Sequence, residues 1–151
     1  MSKKFLVINA SPNRNGNTAH FVQTLLAGRD YETLNLVDYH FGGLGQVFAE
    51  DNFEEIYQAM VSADVLVLGS PMYWHTFAGP LKVLLDRVYV HEGTDDLAGK
   101  DLFFIIQGTA PSPESITSTD FIISRFAQVY GLNYKGKANY LSEIKALQAK
   151  L

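Results

Sequence analysis

Short, unbroken apolar runs alternate with stretches of helical periodicity along the whole chain, and that alternation leaves few folds open. Phe5–Ile8 (FLVI), Val65–Leu68 (VLVL) and Leu102–Ile106 (LFFII) are continuous apolar runs, as expected of strands buried on both faces. Tyr31–Val37, with Leu34 and Leu36 alternating, reads as a further strand, and Leu132–Tyr134 as a short fifth one. Between them, apolar residues recur at helical spacing: Ala19, Val22, Leu25 and Leu26; Ile56, Met60 and Ala63; Leu81, Leu84, Leu85 and Val88; Ile122, Phe126 and Val129; Ile144, Leu147 and Leu151. The order βαβαβαβαβα predicts an α/β fold. Its core is a doubly wound five-stranded parallel sheet of order 2-1-3-4-5 with helices on both faces. Ligands of such sheets bind beyond the carboxyl ends of the strands, where the strand order reverses. The loops after strands 1, 3 and 4 are therefore the places to look for chemistry.

At 151 residues the chain is read as one domain, 1–151. Hydrophobic residues make up 47% and charged residues 19%, which suits a globular rather than a disordered chain. A net charge of −4 gives no basic surplus to neutralise a phosphate backbone, so no nucleic-acid partner is expected. The absence of cysteine rules out disulfides, thiolate-held metals, iron–sulfur clusters and cysteine nucleophiles, and no metal site is expected. MSKK leads straight into FLVINA, too short an apolar run for a signal-peptide core. No run reaches the length of a membrane span, so a soluble, cytoplasmic protein with no membrane partner is expected.

The loop after strand 1, SPNRNGNTAH (Ser11–His20), packs hydroxyl and amide side chains, one glycine and one arginine into a strand-to-helix turn. A phosphate needs several N–H donors aimed at one point. A helix N-terminus supplies free backbone N–H groups and partial positive charge, and Gly16 lets the backbone come close. Ser11, Asn13, Asn15, Asn17 and Thr18 add side-chain donors, and Arg14 either faces the phosphate or stands at the rim for a second anion. A well-capped helix start would use some of the same residues, but not so many together. No Gly-Lys-Ser/Thr follows, and there is no G-x-G-x-x-G.

After strand 3 comes GSPMYWHTFAGPLKVLLDR (Gly69–Arg87), in which Pro71 is expected to stop the strand. Tyr73, Trp74 and Phe77 then fall in a loop. Exposed aromatics in a loop are unfavourable unless something covers them. A planar ligand such as the isoalloxazine ring of a flavin would do so, since it needs aromatic or apolar contacts on its faces and backbone groups at its polar edge. The alternatives are packing on the protein itself, above all for Phe77, or burial between subunits. His75 is a candidate for a hydrogen bond to the ligand or for proton donation, and otherwise a solvated loop histidine. Asp86 and Arg87 read as structural, paired with a neighbouring helix or subunit. After strand 4, Gln107, Gly108 and Thr109 are candidates to border the same ring. Pro111 and Pro113 suggest that the rest of that segment is loop, with residues 110–118 a lid.

Taken together, SPNRNGNT and SPMYWHTFAGPLKVLLDR resemble the phosphate loop and the ring-lining segment of the NAD(P)H-dependent FMN reductase branch of the flavodoxin-like superfamily, over about residues 4–137. The resemblance implies that Ser11, Asn13, Asn15, Gly16, Asn17 and Thr18 hold the FMN phosphate. It also implies that Pro71, Met72, Tyr73 and Trp74 flank the isoalloxazine, and that the protein is a homodimer with flavin near the interface. The family's loop arginine commonly follows S-P directly, where this chain has Asn13 and only then Arg14. Iron–sulfur relatives carry a cysteine cluster where this chain has Tyr39–Phe53, a glycine-bearing segment expected to be flexible.

The function implied is an FMN-dependent NAD(P)H oxidoreductase, in which NAD(P)H is the electron donor and a small molecule such as a quinone, azo dye, nitroaromatic or free flavin is the electron acceptor. The cofactor carries the chemistry and the protein places it, so no catalytic side chain is required. Two alternatives use the same fold: a flavodoxin-type one-electron carrier, for which −4 is a weak docking charge, and a non-catalytic FMN-binding module.

Overall fold

The apolar runs become strands whose side chains alternate between two cores, one on each side of a single sheet. A computed structural model describes residues 2–151. The elements are β1 (Phe5–Asn9), α1 (Asn17–Leu25), β2 (Tyr31–Asn35), α2 (Phe53–Ser62), β3 (Val65–Tyr73), β4 (Thr76–Phe77), α3 (Gly79–Val88), β5 (Asp101–Gln107), α4 (Pro113–Tyr130), β6 (Asn133–Ala138) and α5 (Ile144–Gln148). Five strands pair in parallel in the order β2-β1-β3-β5-β6, which is the expected 2-1-3-4-5. The sixth, β4, is a two-residue strand antiparallel to the end of β3. Leu6, Ile8, Leu66, Leu68, Phe104 and Ile106 pack under α2, α3 and α4. Phe5, Val7, Val65, Val67, Phe103 and Ile105 pack under α1 and α5. The period of two along each strand thus serves both faces.

Several boundaries differ from the sequence expectations for local physical reasons. β3 runs past Pro71 to Tyr73. β1 ends at Asn9, opposite Gly69, so nothing on that side asks Pro71 for an N–H. β2 stops at Asn35 and Leu36–Asp38 forms a 3-10 turn. The expected lid is in large part the first turns of α4. Ser112 caps that helix by accepting the Ser115 N–H at 3.1 Å, and Pro113 occupies the first turn, where its missing N–H costs nothing.

Beyond the 3-10 turn at Leu36–Asp38, residues 39–52 have no helix or strand, but they are tied down rather than loose. Arg87, at the end of α3, donates to both carboxylate oxygens of Asp51 at 2.6 and 3.1 Å and to the Gly42 carbonyl at 2.9 Å. Asp51 also accepts the N–H groups of Gly42 (3.0 Å) and Phe53 (2.8 Å), the latter at the start of α2. The guanidinium lies 4.6 Å from the centre of the Phe53 ring. Arg87 is the dominant cause that holds the Asp51 carboxyl far below the usual carboxylate range, against the opposing effect of burial. The second residue of the expected structural pair, Asp86, takes Lys82 at 2.6 Å along α3.

Because the native carboxyl of Asp51 is the stronger acid, its contribution to stability is complete above the unfolded-state pKa of about 4 and is lost as pH falls below it. Arg87→Met is expected to cost about 2 kcal/mol at neutral pH, less than for a fully buried pair. Denaturant titrations should show the gap between wild type and variant narrowing below about pH 4; a gap independent of pH would contradict this account of the clamp.

Candidate functional site

The loop after β1 folds on its own side chains. Asn9 is buried; its side-chain Oδ1 accepts the Ser11 N–H at 3.0 Å, and its Nδ2 donates to Asn35 Oδ1 on β2 at 2.9 Å. The Ser11 hydroxyl in turn accepts the Asn13 N–H at 3.0 Å. These two local turns carry the chain from the end of β1 to the start of α1. Gly16 caps α1 and offers no side-chain bond to the first turn. The first helical bond runs from the His20 N–H to the Gly16 carbonyl, so Asn17, Thr18 and Ala19 present N–H groups with no partner in the helix.

Two close approaches set the width of the site. A Cβ at Gly69 would lie 2.9 Å from the Thr18 methyl, so only glycine lets α1 start this near β3. A Cβ at Gly108 would lie 3.0 Å from the Met72 Cβ, and the loop after β5 therefore sits against the end of β3. Thr18 is buried, and its hydroxyl oxygen accepts from the Gln107 amide at 3.2 Å, tying the first loop to the third. Ser70 is fully buried. Its hydroxyl donates to the Pro71 carbonyl at 2.7 Å and accepts the Ala78 N–H at 2.8 Å, which fixes both legs of the β3–β4 hairpin over α3.

A cleft of about 280 Å³ opens between these loops, lined by Ser11, Asn13 and Asn17 on one side and by Pro71, Met72, Tyr73, Gln107, Gly108 and Thr109 on the other. Nine of the candidate residues thus come together, from three loops. No carboxylate lines the cleft. One wall is a helix start with amide and hydroxyl side chains, suited to a phosphate. The other joins Met72, Tyr73 and the backbone of Gln107–Thr109, suited to a planar ring with a polar edge. The donor set fits FMN.

The remaining candidates stand elsewhere. Arg14 is turned to Asp38, which it meets through Nε at 3.3 Å and through a terminal nitrogen. With Asn15 it lines a different groove of about 260 Å³, between α1 and β2. Gly16 is the helix cap and Thr18 lies beneath the cleft. Trp74 and His75 form the tip of the hairpin, between paired Tyr73 and Thr76. Both have positive φ, 50° and 66°, the pattern of a two-residue type I′ turn that usually takes Asn-Gly. Trp74 is 93% exposed. Holding a bulky pair in the left-handed region costs about 1–2 kcal/mol each. Phe77 resolves the other way: it is buried, edge-on to Phe104 at 6.3 Å. The sequence reading missed the supporting residues Asn9 and Ser70. Their signal was a polar residue at the end of each apolar run.

A largely apolar groove of about 540 Å³ lies between α3 and α4, with Leu85, Tyr89, Phe126 and Val129 in its lining and Lys82, Asp86 and Arg125 beside them. Among the described residues no helix is long and apolar enough to cross a membrane, and no cluster of side chains could hold a metal ion.

Comparison with known proteins agrees with this geometry. The family model for NADPH-dependent FMN reductase matches residues 3–120. YwqN of Bacillus subtilis, whose name provisionally assigns it to the NAD(P)H-dependent FMN-containing oxidoreductases, is 28% identical over 94 residues, 56% of this chain and 51% of that protein. An iron-sulfur flavoprotein of Archaeoglobus fulgidus is 29% identical over 97 residues, covering 56% and 48% of the two chains. The chain thus spans about half the length of the curated relatives it matches. Among solved structures, the Trp repressor binding protein from Bacillus subtilis superposes with a TM-score of 0.73 at 20% identity, over 97% of this chain and 96% of that one. That likeness is one of fold. The family match, which spans most of the residues, decides the assignment: the chain belongs to the NADPH-dependent FMN reductase family.

Proposed function

We propose that this chain binds FMN in the cleft between the loops after β1, β3 and β5 and works as an NAD(P)H-dependent oxidoreductase toward a small-molecule acceptor. The observation that carries the reading is the cleft itself, where phosphate-type donors and a ring-type wall face each other with no carboxylate between them. Asn17, Asn13 and Ser11 would hold the phosphate together with the free N–H groups at the start of α1. Met72 and Tyr73 would lie against the ring, and Gln107, Gly108 and Thr109 would border its polar edge. Bound FMN would supply the chemistry, accepting two electrons from a nicotinamide and releasing them to the acceptor. The chain's part is to bind, orient and shield. Thr18 and Gln107 keep the phosphate side and the ring side in register through their mutual bond. Arg14 is left out of the phosphate site because its guanidinium is committed to Asp38. His75 lies outside the cleft lining, and no proton transfer is assigned to it.

We further infer a homodimer through the α3–α4 face. Phe121, Tyr89 and Val129 are exposed there beside the large apolar groove, and Lys82, Asp86 and Arg125 give it charges of both signs. An isologous contact needs a patch that complements itself.

The purified protein, loaded with FMN, should show the visible absorbance of bound flavin and bleach anaerobically on addition of NADH or NADPH. A loaded protein that neither donor bleaches would refute the reductase reading and leave a binding module. Asn17→Ala should weaken FMN binding by about 1.5–3 kcal/mol, the worth of one hydrogen bond to a charged group; unchanged affinity by fluorescence titration would place the phosphate elsewhere. Val129→Asp should turn the dimer into a monomer by light scattering, and a wild type that is already monomeric at the same concentration would remove the dimer from the account.

A further inference from the structure

The connections at the carboxyl ends of the parallel strands are residues 10–16, 36–52, 74–78, 108–112 and 139–143, and they contain a single Lys or Arg, Arg14. The cleft opens among these connections. Arg14 is not free: its guanidinium forms a two-pronged pair with Asp38, on the 3-10 turn that follows β2. Arg87 reaches residues 36–52 from α3 but is held by Asp51 and the Gly42 carbonyl, Lys82 pairs with Asp86 at 2.6 Å, and Lys137 donates to the uncharged side chain of Asn139 at 2.6 Å. The groove that Arg14 lines has Asn15, Gln23, Thr33 and Asn35 as its other polar residues beside Asn9 and Tyr31, all of them uncharged.

The two nicotinamide donors differ by one phosphate on the adenosine ribose. That group brings close to two negative charges at neutral pH and needs a cation to receive it. A ribose with free hydroxyls needs an acceptor instead, and a carboxylate is the usual one. Here the single arginine of these connections is paired with Asp38, whose carboxylate is itself partly exposed. We propose that the Arg14–Asp38 pair sets donor choice, and sets it toward the unphosphorylated dinucleotide, NADH. Asp38 does so in two ways. It withholds the guanidinium from a 2′-phosphate, and it adds like-charge repulsion against one. This rests on the reductase reading above and specifies the donor of that same site.

The test compares kcat/KM for NADH and NADPH on the FMN-loaded protein, with a simple quinone as acceptor, in wild type, Asp38→Asn and Asp38→Ser. Retained flavin absorbance serves as the check on folding. Wild type is expected to favour NADH by at least about tenfold, roughly what one misplaced charge-assisted bond is worth. Both variants should move the ratio toward NADPH by a similar factor. Calorimetric titration with adenosine 2′,5′-bisphosphate, against adenosine 5′-diphosphate, reads the same preference without turnover, and the 2′-phosphate compound should bind more tightly to Asp38→Asn than to wild type. A wild type that prefers NADPH overturns the inference and leaves the reductase reading intact, as does a ratio that neither Asp38 variant moves. Oxidation of neither donor overturns the reductase reading and this inference with it.

Discussion

Burial of the central strands on both faces is the constraint from which the rest follows. All five residues of β1 are buried, as are the first seven of β3 and the middle five of β5. The three central strands of such a sheet offer no polar surface along their length. Function is driven to the strand ends, where the chain must leave the core and its backbone groups need new partners. The loop after β1 meets that need with side chains: Asn9 takes the N–H of Ser11, and Ser11 that of Asn13. The start of α1 is left without a capping side chain. With Gly16 as the cap, which costs only a few tenths of a kcal/mol against a side-chain cap, the first N–H groups of the helix have no intrahelical partner.

The site is held together from below. Thr18 lies against Gly69 and takes the Gln107 amide, while buried Ser70 spans the two legs of the hairpin. Asp51 and Arg87 do the equivalent work for the segment before α2, which has neither helix nor strand to order it. Of these groups only Gln107 lines the cleft. Among the described residues no buried side-chain nitrogen or oxygen is left without a partner, so the polar groups beneath the cleft rigidify it rather than weaken it.

Most of the fold was legible because the apolar period alone specifies it. FLVI, VLVL and LFFII could be nothing but buried strands once helical stretches separated them, and the strand order followed from chain logic. The cleft was legible to the extent that its residues sit within a few positions of a strand end, as Ser11, Met72 and Gly108 do. What could not be read depends on neighbours distant in sequence. Pro71 looks like a strand breaker until β1 is seen to end opposite Gly69. Pro113 looks like a loop residue until Ser112 is seen to cap a helix. Arg14 reads as a phosphate or rim residue, and its pairing with Asp38, 24 residues away, has no mark in the sequence. Trp74 and His75 read as ordinary loop residues because composition does not reveal a left-handed backbone.

The hairpin tip has an optical consequence. Trp74 is the one tryptophan in the chain, and it stands 93% exposed at the end of β3 rather than in either core. Its emission therefore reports the water around a single turn. Melting of the sheet would leave that signal almost silent, since an indole already surrounded by solvent has little polarity to gain. Anything that settled on the tip, whether a planar molecule or a protein surface, would shift it toward the blue or quench it. The molecule carries its own lamp at the door of the cleft, and none in the building.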